Sequence, residues 1–169
     1  SLKNNTPELS PRPFDKERDG LVLGEGAGTL ILEEYEHAKK RNAKIYAEVI
    51  GFGTSTDGCH ITNPNKETMG KALELAIKDA QISPDDIGYV NAHGTATIHG
   101  DIAETLATEN VFKRKVPISS LKSYTGHTLG ACGAIEAILS INMMNDNLYF
   151  PTLNLENVDE NCGKLDYIK

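Results

Sequence analysis

The sequence predicts one α/β layer structure, a mixed β-sheet covered by α-helices, and three observations carry that reading. Short apolar or alternating runs recur between longer segments of helical period. The turns that lead from strand to helix are polar and hold Gly, Ser, Thr and His, as ligand-binding turns at the carboxyl edge of a sheet do. The 169 residues, 39% hydrophobic and 24% charged, suffice to bury one core. No repeat or low-complexity stretch interrupts the pattern, which divides into an irregular lead-in over residues 1–18 and one domain over residues 19–169.

Composition removes several function classes. A formal net charge of −7 argues against nucleic acid, whose phosphates need a basic footprint. No apolar run approaches the roughly 18 residues of a membrane helix, and no signal-peptide pattern opens the chain. Cys59, Cys132 and Cys162 form neither a CxxC pair nor a zinc spacing, so free thiols in a cytoplasmic protein are expected. The start lacks an initiator methionine, which suggests a piece of something longer.

The lead-in holds three prolines and mixed charges without periodicity, and reads as irregular surface. Residues 21–32 read as one long buried strand bent at its glycines. Gly24-Glu25-Gly26-Ala27-Gly28 lacks the spacing of a phosphate loop, so close backbone packing is expected there. Residues 33–41 read as a short helix ending in cations suited to its C-terminus. Residues 45–53 alternate as a second strand, with Ala47 and Val49 on one face, and residues 54–65 form a polar loop with Cys59 and His60. Residues 66–80 make an amphipathic helix capped by Asn65, burying Met69, Leu73, Ala76, Ile77 and Ala80. Ser83-Pro84-Asp85-Asp86 starts one helical turn.

Residues 87–90 read as a buried strand, followed by a turn that contains His93, Thr95, Thr97 and His99. A helix from Asp101 to about Phe112 follows, with Asp101 and Glu104 at capping-box spacing. Residues 116–119 read as a strand, and a second polar turn carries Lys122 and His127. A small-residue helix then covers about 128–145, and residues 165–168 form a last strand.

Two strand–turn–helix units thus offer His93 on one side and Lys122 with His127 on the other. If their strands are near neighbours, both histidines sit over one sheet edge. His127 lies at a helix N-terminus, where the dipole disfavours imidazolium, and a neutral imidazole can donate one N–H to a developing oxyanion. Lys122 is either an exposed charge or a cation that keeps the histidines uncharged. Glu136 is either solvated or a buried partner for Lys122. His60 and His99 read as structural hydrogen bonders, and no nearby ligand spacing favours zinc at His93 and His127.

Three segments resemble the β-ketoacyl-acyl-carrier-protein synthase family. Asn91-Ala92-His93-Gly94-Thr95-Ala96-Thr97 with Gly100-Asp101 is similar to its first histidine motif. Ser119-Ser120-Leu121-Lys122-Ser123-Tyr124-Thr125-Gly126-His127 through Glu136 is similar to its lysine and second-histidine motif. Arg12-Pro13-Phe14-Asp15 through Gly28 matches a third segment. The resemblance spans nearly the whole chain and points to the C-terminal half of the elongating synthase II class. It implies a thiolase-like fold of two similar halves and a decarboxylating Claisen condensation. It gives His93 and His127 the stabilisation of the enolate, Lys122 the support of that pair, and Thr95 and Thr97 hydrogen bonds to the carrier's phosphopantetheine arm. Glu136 and Asp101 become supporting carboxylates. The partners implied are acyl carrier protein and a second copy of the full-length chain; no metal and no cofactor beyond the carrier's arm are implied. The family's nucleophilic cysteine falls before Ser1 and its Gly-rich C-terminal segment after Lys169, so the 169 residues alone are expected to be inactive. A non-catalytic chain-length partner and a polyketide ketosynthase domain are the alternatives.

Overall fold

Three strands, β1 (Val90–Asn91), β2 (Pro117–Ser119) and β3 (Asp166–Tyr167), form a parallel sheet in the order β1-β2-β3. This is a computed structural model, and it describes residues 3–60 and 62–169. The first two lead-in positions and Ile61 of the expected polar loop lie outside the described residues. Val90 pairs with Ile118 and Asn91 with Ser119, while Pro117 pairs with Asp166 and Ile118 with Tyr167. Because β1 and β2 are parallel neighbours, the polar turns that follow them emerge side by side at one edge.

Among the described residues, five α-helices accompany the sheet: α1 (Tyr35–Lys40), α2 (Lys66–Ala80), α3 (Ile98–Phe112), α4 (Lys122–Thr125) and α5 (Cys132–Asp146). The core gathers Phe14, Ala92, Phe112, Val116, Ile118, Leu155 and Leu165, with Leu73 and Ile77 of α2 against it. None of these helices is long and apolar enough to cross a membrane.

Several local readings hold. Asn65 caps α2 by accepting the Thr68 N–H. Ser83 and Asp86 make a reciprocal capping box around the 3-10 turn Pro84–Asp86. A Cβ on Gly24 would strike the Thr125 carbonyl, one on Gly26 would lie 2.7 Å from the Ile135 side chain and one on Gly28 3.0 Å from Ala134. The glycine cluster is therefore a close-packing device.

The two N-terminal strand readings do not hold. Residues 21–32 run against α4 and α5 with only an isolated bridge from Leu23 to His127. Ile31 and Leu32 are 84% and 77% exposed. Residues 45–53 run against α2, where a Cβ on Gly51 would meet Ala76 and Ala80, and Val49 is 83% exposed. Both segments have strand-like patterns, yet neither pairs into the sheet, and period alone cannot supply a neighbour.

The lead-in is irregular but not superficial. Arg12, Phe14, Asp15 and Arg18 are buried. The charges that suggested a surface are satisfied internally: the Asp15 carboxylate accepts the Glu156 and Asn157 N–H groups, and Arg18 Nη1 donates to Asp159 at 2.7 Å. β1 is shorter than expected, and the Ile87 carbonyl at its approach accepts from Arg114 and not from a neighbouring strand. α3 begins three residues early, at Ile98, and the expected Asp101–Glu104 capping box does not form. Asp101 accepts instead from the Phe14 N–H at 2.9 Å, and Glu104 turns to the His93 turn. The helix expected from residue 128 begins at Cys132, after the 3-10 turn Leu129–Ala131, and α4 was not foreseen. Gly126 at φ 66° ends α4 there.

Candidate active site

The turn after β1 is built around close approach. The Ala92 N–H donates to the Ser119 carbonyl at 3.0 Å, which extends the β1–β2 pairing into the turn. Gly94 has φ +35°, and a Cβ there would lie 2.6 Å from Ser120 and 2.9 Å from Phe14. Ser120 Oγ donates to the Gly94 carbonyl at 2.7 Å. The N–H groups of His93 and Gly94 both donate to Glu104, at 2.7 and 2.8 Å. Glu104 sits on α3, so the second turn of that helix grips the backbone that presents His93.

The second turn brings His127 to the same place. Its N–H donates to the Val22 carbonyl at 2.7 Å, and its carbonyl accepts the Gly24 N–H at 3.1 Å. The His93 and His127 rings meet edge to face, with centroids 5.1 Å apart and an interplanar angle of 87°. The Leu129 N–H donates to His127 Nδ1 at 3.1 Å, and Cys132 Sγ lies 3.0 Å from the same nitrogen.

Lys122, from α4, is buried and its ammonium donates to Glu136 Oε1 on α5. Of the two readings open for Glu136, the buried-partner one is the structure's. Thr95 and Thr97 lie beside His93 in the chain, and their hydroxyls hydrogen-bond each other at 2.9 Å. Asp101 is not in the cluster. It lies fully buried in the first turn of α3, 3.4 Å from Arg18, and joins the lead-in to the helix.

The electrostatics favour uncharged imidazoles. His93 keeps an exposed edge, yet loss of water around the rest of the ring, then Lys122 and His127, hold its pKa down to about 4. His127 is lowered by loss of water and by Lys122, against an opposing pull from Glu136. Loss of water raises Glu104, while its two backbone donors and Lys122 pull it back down. Burial pushes Asp101 up to about 7, against the Phe14 N–H and Arg18. At neutral pH two neutral imidazoles therefore meet edge to face within the field of the buried Lys122, which is paired with the half-buried Glu136. Each can offer an N–H to an oxygen on which negative charge develops.

Sequence reasoning missed two members of this arrangement. Glu104 was read as a capping residue, although a carboxylate on the buried face of a helix, one turn past a His-bearing loop, is a signal for a second task. Cys132 was expected only as a free thiol, with no part in the site. His60 and His99 stay outside: His60 Nδ1 bonds its neighbour Thr62 at 2.8 Å, and His99 is exposed on α3. All three cysteines are free thiols, Cys59 exposed and Cys132 and Cys162 buried.

Known proteins share this pattern. The family model described as "Beta-ketoacyl synthase, C-terminal domain" matches residues 46–156, and that of the N-terminal domain matches residues 2–38. The chain belongs to the β-ketoacyl synthase family. It is 50% identical to 3-oxoacyl-[acyl-carrier-protein] synthase 2 of Vibrio cholerae, over 96% of this chain and 41% of that protein. It is 45% identical to the 3-oxoacyl-[acyl-carrier-protein] synthase homolog of Saccharomyces cerevisiae, over 99% of this chain and 40% of that protein. The crystal structure of a β-ketoacyl synthase from Burkholderia phymatum superposes with a TM-score of 0.98 at 59% identity, covering all of this chain and 41% of that one. A type II polyketide ketosynthase, solved in complex with its acyl-carrier protein, superposes with a TM-score of 0.91 at 42% identity, over 99% of this chain and 42% of that one. The chain thus spans about two fifths of the length of the relatives it matches, and its α/β fold is that of the ketosynthases.

Proposed function

We propose that this chain supplies the decarboxylation and condensation machinery of an elongating β-ketoacyl-acyl-carrier-protein synthase of the fatty-acid type. The observation that carries the reading is the edge-to-face pair of His93 and His127, both held below the ordinary imidazole pKa, above the Lys122–Glu136 pair. In this mechanism a cysteine thiolate from outside the chain holds the acyl group as a thioester. The malonyl thioester on the carrier then enters. Its C–CO₂ bond breaks, CO₂ leaves, and the electron pair passes to the enolate oxygen, which accepts the N–H groups of His93 and His127. The α-carbon attacks the acyl thioester carbonyl, a C–C bond forms, and the C–S bond to cysteine breaks. Oriented donors of this kind contribute about a hundred- to a thousandfold each. Thr95 and Thr97, already paired, exchange that mutual bond for bonds to the phosphopantetheine arm. Lys122 keeps the imidazoles uncharged and Glu136 keeps Lys122 in place.

The partners proposed are acyl carrier protein and a second copy of the full-length chain, in the cytoplasm. The carrier's own arm is the only prosthetic group the chemistry uses. A non-catalytic chain-length role is the weaker reading, since both histidines are in place. The test is the full-length protein with acyl-carrier and malonyl-carrier protein. One β-ketoacyl product per CO₂ released is expected, with no turnover by the 169 residues alone; absence of C–C bond formation by the full-length protein would refute the reading.

A further inference from the structure

His127 Nδ1 is contacted from two sides. A backbone amide can only donate, so the Leu129 N–H at 3.1 Å requires a lone pair on Nδ1. Cys132 Sγ stands 3.0 Å from that nitrogen, and against a lone pair the thiol must be the donor. Thr128 Oγ1 lies 3.5 Å from the same sulfur and donates to it. A directed chain therefore runs from the Thr128 hydroxyl through the Cys132 thiol to the imidazole. Cys132 and Thr128 are both buried, at 8% exposure each, so water does not substitute for either.

We propose that Cys132 is a positioning residue for His127: its thiol, set by Thr128, joins the Leu129 N–H in holding the imidazole with its proton on Nε2. That proton is then free to be donated to substrate while Nδ1 is turned into the protein. The charged and titratable groups facing His127 are Lys122, Glu136 and His93. Lys122 and Glu136 act on the ring's charge and pull in opposite directions, and His93 meets it as a ring edge; none of the three selects which nitrogen carries the proton. The two donors on Nδ1 do: the Leu129 N–H and the Cys132 thiol share its one lone pair, and the thiol, the side chain of the two, acts there as a donor and not as a nucleophile. The proposal rests on the reading of His127 as a proton donor to the enolate, but its test needs no turnover.

The experiment is nitrogen NMR of the full-length protein labelled at histidine, with the His127 signals identified by their loss in His127→Gln. In the unsubstituted protein Nδ1 is expected as the bare, acceptor-type nitrogen and Nε2 as the protonated one. Cys132→Ala should raise the protonation constant of His127 about threefold, the loss of one weak hydrogen bond to the neutral ring, and admit some of the other tautomer. Cys132→Ser, which keeps an O–H donor, should return both values toward the starting protein. Thr128→Val should move them in the Cys132→Ala direction by less. If Cys132→Ala does not fold, Cys132→Ser and Thr128→Val carry the test. A proton on Nδ1 in the starting protein would overturn the proposal. So would a titration and tautomer left unmoved by Cys132→Ala, or by Thr128→Val where Cys132→Ala cannot be read. Loss of condensation with unchanged nitrogen signals would mean that Cys132 acts only through packing, which also overturns it.

Discussion

His93 is held through its backbone, whose N–H and that of Gly94 both end on Glu104, whereas His127 is held through its ring, whose Nδ1 meets Leu129 and Cys132. The two imidazoles look alike in the sequence and are supported by opposite means. Gripping the backbone fixes where the ring starts, and gripping the ring acts on which nitrogen bears the proton. In the proposed mechanism, which needs two donors on one oxygen, position is thus secured at one histidine and tautomer at the other. Lys122 acts on both, because it lowers the pKa of each ring.

The largest effect should come from breaking what the two histidines share. Lys122→Met leaves Glu136 facing a largely dry site without its cation, and should cost about 3 kcal/mol in denaturant unfolding, the low end for a broken buried pair. It should also raise the pKa of both imidazoles. Adding Glu136→Leu should restore most of the stability and leave the His93 pKa raised, while His127 falls back part of the way because the opposing pull of Glu136 goes too. Recovery of stability and of the His93 depression together would mean that packing, not charge, sets that ring.

Next comes the separation of the two supports. Glu104→Ala strands two backbone N–H groups and should cost about 2 kcal/mol, with Glu104→Gln, which keeps one acceptor, between it and the starting protein. Its nitrogen spectrum should change at His93 and leave the His127 tautomer alone. Cys132→Ala should do the reverse. Equal disturbance of both rings by either variant would show that the supports are not independent.

The smallest effect is the pH dependence of folding. The folded-state pKa of His93 lies near 4, below the ordinary value of 6.5. Its contribution is present above 6.5 and is lost as pH falls toward 4, because the unfolded chain takes up a proton the folded one refuses. The exposed edge of the ring keeps that contribution small. Asp101 runs the other way: raised from 3.8 to about 7, its contribution is full below 3.8 and is lost as pH rises through 7. The two slopes oppose each other between pH 4 and 6.5. Asp101→Asn should therefore make the unfolding free energy fall more steeply as pH drops from 6.5 to 4; an unchanged slope would show that Arg18 keeps Asp101 ionised throughout.

The parts of the molecule that the sequence discloses are those whose partners are near in the chain. α2, its Asn65 cap and the Ser83–Asp86 capping box are local, and each is where its pattern places it. The His93 and Lys122–His127 turns are legible because Gly, Ser, Thr and His cluster there for reasons that connection alone does not supply. What stayed hidden depends on distant partners. Residues 21–32 and 45–53 have a strand's pattern, but a strand needs a neighbour to pair with, and that neighbour is not written in its own residues. The lead-in charges read as solvated because Arg18 and its partner Asp159 stand far apart in sequence. Glu104 and Cys132 stayed hidden for a related reason. Each sits on a helix at a position that helix alone explains, and only the packed turn reveals its second contact.

In the proposed mechanism His93 and His127 together drive loss of CO₂ before any C–C bond is made. The direct measurement is CO₂ release from malonyl-carrier protein by the full-length protein and by its His93→Ala and His127→Ala variants, with unfolding followed in parallel. Each variant is expected to stay folded and to lose about a hundredfold or more in rate. A folded variant of either kind that releases CO₂ at the undiminished rate would contradict it.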